Sequence, residues 1–143
     1  MIVVVDASVA AMWFLPEPAS APAARLLEST CVLAAPELMR LEVGSALLKA
    51  VRRGTIGAVT AAEALARLVS PPLRFEPIEP LAEPAFELAE AHGGSIYDGA
   101  YIVLARALGA AVATNDAGLA RTARAVGVEA WHLAEPAPAW LDA

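Results

Sequence analysis

The sequence predicts an α/β fold built on a central, mostly parallel sheet. Short apolar runs alternate along the chain with stretches whose apolar residues recur at helical spacing, the order produced when helices cross over between parallel strands. The strand-like runs show no polar alternation, as expected of strands covered on both faces. The length, 143 residues, suits one domain spanning 1–143 with a sizeable core.

The elements follow in order. IVVVD (2–6) reads as a buried strand and ASVAAMWFL (7–15) as a short helix. PEPASAP (16–22) is a loop or helix start, because proline is tolerated in a first helical turn and not inside, and AARLLEST (23–30) continues as helix. CVLAA (31–35) is a second strand, closed by Pro36. PELMRLEVGSALLKAVRRG (36–54) is a long helix with proline at its start and Gly54 past its end. TAAEALARLVS (60–70) is a helix stopped by Pro71 and Pro72, and LRFEPI (73–78) is strand-like. EPLAEPAFELAEAHGG (79–94) is a helix ending in a glycine pair, followed by the very apolar helix SIYDGAYIVLARALG (95–109). AAVAT (110–114) is a fourth strand, NDAGLARTARAVG (115–127) a helix, and VEAWHL (128–133) a fifth strand before a proline-rich tail.

Composition narrows the functional classes. Hydrophobic residues make up 58%, but much of this is alanine, and no apolar run reaches the ~20 residues of a membrane span. No basic segment precedes the first apolar run, so a signal peptide is not expected. The single cysteine, Cys31, excludes an internal disulfide, fits a reducing cytoplasm and reads as a small buried hydrophobe. The net charge of −6 argues against a broad nucleic-acid-binding surface. That objection weakens if four acids belong to a cation site, because the remainder is then close to neutral.

Two acids stand where apolar runs end. Asp6 closes the first strand and Asp116 follows the fourth. Sites in open parallel sheets form outside the carboxyl ends of strands, near a switch in strand order, so these acids are candidates for one site. Each also precedes a helix, where aspartate is a common N-cap, and local pattern leaves both roles open. Asp98 lies three residues after Ser95, a capping-box spacing. The helix behind it is almost wholly apolar, with large Tyr101 and Ile102 expected to be buried one turn on. Glu42 is ambiguous: Leu41, Gly44, Leu47, Leu48 and Val51 form the expected core stripe of its helix, with Glu42 off it beside Lys49 and Arg53.

Taken together, Asp6, Glu42, Asp98 and Asp116 are hard oxygen donors. The chain has no His-x-x-x-His or Cys-x-x-Cys pair, which disfavours zinc. Clustered carboxylates repel one another, and Mg²⁺ or Mn²⁺ turns them into a coherent ligand set of the kind that hydrolyses phosphodiesters.

In the order of its motifs the chain resembles PIN-domain proteins, and more closely the VapC-type toxin ribonucleases of toxin–antitoxin pairs. The resemblance covers nearly the whole chain and rests on IVVVDASV, PELMRLEVGSAL, SIYDGAYIVLARALG and ATNDAGLARTA. It aligns Asp6 with the family's first acid and Ser8 with the hydroxyl residue two positions on. Glu42 falls on its helical glutamate, Tyr97–Asp98 on its third motif, and Thr114–Asn115–Asp116 on its last turn. The resemblance implies a three-layer α/β/α sandwich, Mg²⁺- or Mn²⁺-dependent endoribonuclease activity, a homodimer and inhibition by a small cognate antitoxin. It also favours Glu42 as a functional acid. Two positions depart from the pattern: Ser45 stands where many relatives have asparagine, and Gly118 where some carry a further acid. Under this reading Lys49, Arg52, Arg53, Arg121 and Arg124 become candidates for RNA phosphate contacts, against the plainer role of complementing helix ends.

His92 and His132 read as structural. Trp13, Phe14, Leu47 and Leu48 read as core by default, with the lining of a partner groove as the alternative, and Trp140 is hard to bury locally, which suggests a dimer interface. Phosphoryl transfer through aspartate fits poorly. A phosphatase of that type needs an acid where Ser8 stands, and a receiver domain needs a lysine late in the sheet, whereas Lys49 is the only lysine. An inactive PIN-like binding module remains the alternative.

Overall fold

The structure is a computed structural model that describes residues 1–70 and 72–143. Its centre is a five-stranded sheet, β1 (Ile2–Val5), β2 (Val32–Pro36), β3 (Leu73–Glu76), β4 (Ala111–Thr114) and β5 (Ala130–His132), in the order β3-β2-β1-β4-β5. Every pairing is parallel, with Val4 opposite Ala34 on one side and Val112 on the other. The unbroken apolar runs have the expected cause: Val3, Val4 and Val5 have no exposed surface, and β4 is buried along its whole length.

Among the described residues seven α-helices connect the strands: α1 (Ala7–Ala10), α2 (Ser20–Glu28), α3 (Met39–Arg52), α4 (Ala58–Arg67), α5 (Glu79–His92), α6 (Ile96–Leu108) and α7 (Ala117–Ala125). Right-handed crossovers place α1–α4 on one face and α5–α7 on the other, in accord with the α3–α4, α5–α6 and α6–α7 contacts. The connection from β1 runs to β2, while β4 lies on the opposite side of β1. The order therefore reverses between β1 and β4, and their carboxyl ends form the crevice in which such folds hold ligands.

Several expected boundaries move. The first helix is a single α turn that tightens into a 3₁₀ turn over Ala11–Trp13. Pro36 ends β2, opposite Glu76, instead of starting a helix, and α3 begins at Met39. The last strand is shorter than the apolar run VEAWHL. Pro71, one of the two expected helix stops, lies outside the described residues.

The core stripe of α3 is a correction. Met39, Val43, Leu47 and Ala50 are buried, whereas Leu41 is 81% and Leu48 48% exposed. The helix carries two overlapping apolar stripes, and the one whose first member is set by the end of β2 faces inward. Trp140 is half-buried and has partners within its own chain. Its ring meets Trp131 edge-on, with centroids 6.0 Å apart, and its Nε1 donates to Glu129 Oε1 at 2.7 Å. Cys31 is buried as expected, and among the described residues no helix is long and apolar enough to cross a membrane.

Candidate active site

The site begins where β1 ends. Asp6 occupies the N-cap position of α1 in extended conformation, yet its side chain makes no cap. Its Oδ2 instead accepts from Ser8 Oγ at 2.6 Å and from Thr114 Oγ1 at 2.8 Å. Those two hydroxyl oxygens are themselves acceptors, for the Asn115 amide at 2.9 Å and the Asp116 amide at 2.9 Å respectively. A hydroxyl has one proton to give. With each oxygen taken by an amide, both protons go to Asp6. Two amide–hydroxyl–carboxylate chains therefore stitch the β4–α7 turn to the β1–α1 turn. Burial pushes the Asp6 carboxyl above its ordinary range, opposed by Ser8, Thr114 and the Ala7 amide, with the Asp116 charge adding to the rise.

Asp116 does cap its helix. Its Oδ1 accepts from the Gly118 and Leu119 amides at 2.8 and 3.2 Å. Capping occupies one oxygen, and the other is left free to act as a ligand. The two readings of this residue are therefore compatible, whereas at Asp6 the cap is absent.

Asp98 sits in the first turn of α6. Ser95 Oγ accepts from the Asp98 amide at 3.1 Å, so the capping spacing is real, but this bond uses the backbone of Asp98 and does not consume its carboxylate. That carboxyl is raised to about 6, chiefly by burial, then by the charges of Asp6 and Asp116, with Ser95 opposing.

Glu42, in the first turn of α3, is half-buried and accepts a hydrogen bond from the Tyr101 hydroxyl at 2.8 Å. Burial raises its carboxyl, Tyr101 opposes, and the charges of Asp6 and Asp98 add to the rise. Tyr101 is fully buried in α6, one turn beyond Asp98, and its own ionisation is suppressed by burial and by Glu42. One helix therefore supplies both an acid and the clamp on a second acid. Sequence reasoning noted that Tyr101 is buried but missed this role, because its partner lies 59 positions away.

The cations divide. Lys49, Arg52 and Arg53 are exposed near the end of α3, and Lys49 stands about 10 Å along the helix from Glu42. Arg124 is paired with Glu135 and also donates to the Ala130 carbonyl. Arg121 lines a cleft that reaches Asp98, and His92 lines it too.

Asp6, Glu42, Asp98 and Asp116 thus come from four elements and perturb one another through space. Among the described residues no three acidic, histidine or cysteine side chains stand at chelating spacing. The donor chemistry nevertheless fits a hard divalent cation: the donors are all oxygen, and their mutual repulsion is relieved by positive charge. Ligation would require the carboxylates to rotate inward.

The PIN domain model matches residues 3–125. The chain belongs to the PIN domain family. It is 35% identical over 121 residues to Ribonuclease VapC12 of Mycobacterium tuberculosis, covering 85% of this chain and 92% of the relative. It is 34% identical over 122 residues to Ribonuclease VapC3 of Pyrobaculum aerophilum, covering 84% and 93%. Among solved structures, PAE2754 from Pyrobaculum aerophilum superposes with a TM-score of 0.70 at 25% identity, over 91% of this chain and 83% of that one. The fold agrees with the PIN-like sandwich that the sequence motifs imply.

Proposed function

We propose that this PIN-domain chain is an endoribonuclease, the toxin of a VapC-type toxin–antitoxin pair, that cleaves RNA phosphodiesters with the help of Mg²⁺ or Mn²⁺. The observation that carries the reading is the gathering of Asp6, Glu42, Asp98 and Asp116 at the switch point between β1 and β4. The ribonuclease names of relatives aligned over most of their length support it.

In this mechanism Asp6, Glu42, Asp98 and Asp116 would hold the cation, which would supply charge neutralisation and the activation of water. Ser8 and Thr114 hold Asp6 by Oδ2. Tyr101 holds Glu42 by Oε1. Asp116 fixes the α7 terminus through one oxygen. Lys49, Arg52, Arg53 and Arg121 are the phosphate contacts of this reading, with Arg124 the weaker member because Glu135 already matches its charge.

The protein acts in the cytoplasm as a homodimer. Its antitoxin blocks the groove by inserting a basic side chain among the acids, where that charge replaces the cation's. The test is cleavage of single-stranded or loop RNA by partner-free protein. Cleavage with Mg²⁺ or Mn²⁺ and none in excess EDTA is expected. Undiminished cleavage in EDTA removes the metal mechanism, and inactivity of a folded sample with either metal favours a binding module.

A further inference from the structure

Glycine is among the poorest helix formers, yet Gly99 stands near the start of α6, directly after Asp98. Its φ is not positive, so no special backbone conformation calls for glycine there. The reason is space. A Cβ at Gly99 would stand 2.6 Å from the carbonyl oxygen of Ala85 in α5, and 3.2 Å from both the carbonyl carbon and the Cα of that residue. All three are backbone atoms of a fully buried residue, so the obstacle cannot swing aside as a side chain would.

Of the chain's nine glycines, no other would bring a Cβ within 3.0 Å of a described atom. Gly44 makes the contrast. It too lies in a helix and close to an acid, Glu42, but a Cβ there would meet only the tip of the Leu65 side chain, at 3.5 and 3.7 Å. That is ordinary contact with a group that can move.

The close approach falls where α6 carries its acid. The Gly99 amide donates to the Ser95 carbonyl at 3.1 Å and closes the turn that holds Asp98. The link from α5 to α6 is short, and Gly93 and Gly94 within it have φ of +78° and +80°, so α6 has little slack at its start. Carboxylates can rotate about their own bonds to reach a cation, but the backbone decides where each one starts. Ordinary contact begins at 3.4 Å, so a Cβ placed 2.6 Å from the Ala85 oxygen requires α5 and α6 to give by the difference, about 0.8 Å. Functional constellations tolerate misplacement of only about 0.5 Å. A shift that the fold can absorb is therefore too large for the site.

Resting on the metal-dependent ribonuclease reading above, we infer that Gly99 is a positioning residue: its missing side chain seats α6 against the Ala85 carbonyl and thereby places Asp98 at cation-holding distance from Asp6 and Asp116. Gly99 touches neither cation nor substrate and acts through Asp98 alone.

The experiment measures Mn²⁺ affinity by EPR, at a temperature well below the Tm of every variant, with cleavage of a single-stranded RNA in Mg²⁺ alongside. It compares wild type with Gly99→Ala, Gly44→Ala, Ala85→Gly, Asp98→Asn and the double variant Gly99→Ala/Asp98→Asn. Gly99→Ala should bind Mn²⁺ about 10–100-fold more weakly, the loss typical when a ligand's support is removed. Gly44→Ala should keep wild-type affinity and melt slightly higher, as expected when alanine replaces a helical glycine without a clash. Ala85→Gly should also keep its affinity, because the seat is made by backbone atoms and not by the Ala85 methyl. The double variant decides between positioning and general loosening. With the Asp98 charge already gone, Gly99→Ala should lower the residual affinity by less than about twofold, whereas independent effects would add in full. Wild-type affinity in Gly99→Ala, a full further loss in the double variant, or a tenfold loss in Ala85→Gly overturns the proposal. Failure of Gly99→Ala to fold while Gly44→Ala folds makes the contact a requirement of the fold and overturns the positioning role as well. If wild type binds Mn²⁺ and cleaves RNA while Gly99→Ala matches it, only the role of Gly99 fails. If wild type neither binds Mn²⁺ nor cleaves, the metal-dependent ribonuclease reading fails and the positioning role with it.

Discussion

Asp98→Asn separates a ligand from a helix-terminal charge. The substitution keeps the shape and the amide bonded to Ser95 Oγ, and removes only a negative charge. The Asp98 carboxyl moves from 3.8 to about 6 in the folded chain, because burial and the charges of Asp6 and Asp116 disfavour ionisation. At ~1.36 kcal/mol per pKa unit the unscreened ceiling is about 3 kcal/mol. The side chain is half-exposed, and solvent screening reduces this to about 1 kcal/mol. The folded chain holds this proton more tightly than the unfolded chain, so the sign is that of a raised acid. Below about pH 4 both states are protonated and nothing is lost. Between about 4 and 6 the unfolded chain ionises first and stability falls as pH rises; above that the whole penalty is present. In EDTA near pH 7.5 the asparagine variant should therefore be more stable by about 1 kcal/mol, or roughly 3–4 °C in Tm, with the gap closing toward pH 4. Added Mg²⁺ should reverse the order. Wild type gains about 2.7 kcal/mol at a hundredfold excess over Kd, while the variant loses most of that gain together with cleavage. Melting curves of both proteins across pH and a Mg²⁺ titration provide the measurement. A variant that is weaker by ~0.3–1 kcal/mol at every pH and metal concentration, as loss of a helix-dipole charge would give, refutes the reasoning. So does equal Mg²⁺ stabilisation with cleavage retained.

Tyr101→Phe removes the hydroxyl that holds Glu42. Loss of an outer-shell partner typically weakens metal affinity by about 10–100-fold, so Mn²⁺ binding followed by EPR should weaken. A double variant with Glu42→Gln should be scarcely worse than Glu42→Gln alone, and additive losses would show that Tyr101 acts elsewhere. Thr114→Val keeps the buried shape but deprives both Asp6 and the Asp116 amide of a partner. Urea denaturation should show a loss of about 2 kcal/mol or more, and an unchanged midpoint would contradict the stitched-turn geometry. Arg124→Ala breaks an exposed pair and should leave the melting temperature nearly unchanged, with a smaller loss of RNA affinity than Arg121→Ala when RNA binding is titrated by fluorescence anisotropy. The opposite ranking would mean that the Arg124–Glu135 pair opens to admit RNA.

The alternation of strands and helices was legible because buried parallel strands are short unbroken apolar runs, and β1 and β4 lie where those runs fall. Asp6 and Asp116 were legible for the same reason, since a carboxylate that closes such a run sits at the sheet's carboxyl edge. Helical periodicity failed at Glu42. Leu41 and Leu48 advertise a stripe that the helix turns outward, and the frame depends on how β2 ends, which no local pattern encodes. The clamp by Tyr101 and the opening lined by His92 and Arg121 are products of tertiary placement. A buried tyrosine hydroxyl needs a partner, but its spacing does not name one. Trp140 has partners in its own chain, Trp131 and Glu129, which its local spacing does not name because they meet it through the return of the tail.

The placement of the acids also bears on how such a chain can diverge. Asp6 and Asp116 follow two interior strands of the sheet, β1 and β4, each with a neighbouring strand on either side, whereas the marginal strands β3 and β5 end in none of the four acids. Insertions, trimmed loops or altered side chains along those margins redraw the outline of the molecule without changing the distance between the two central turns. Outline and acid placement are thereby assigned to different parts of one sheet, so the outer contours can change while the acids stay where the middle strands put them.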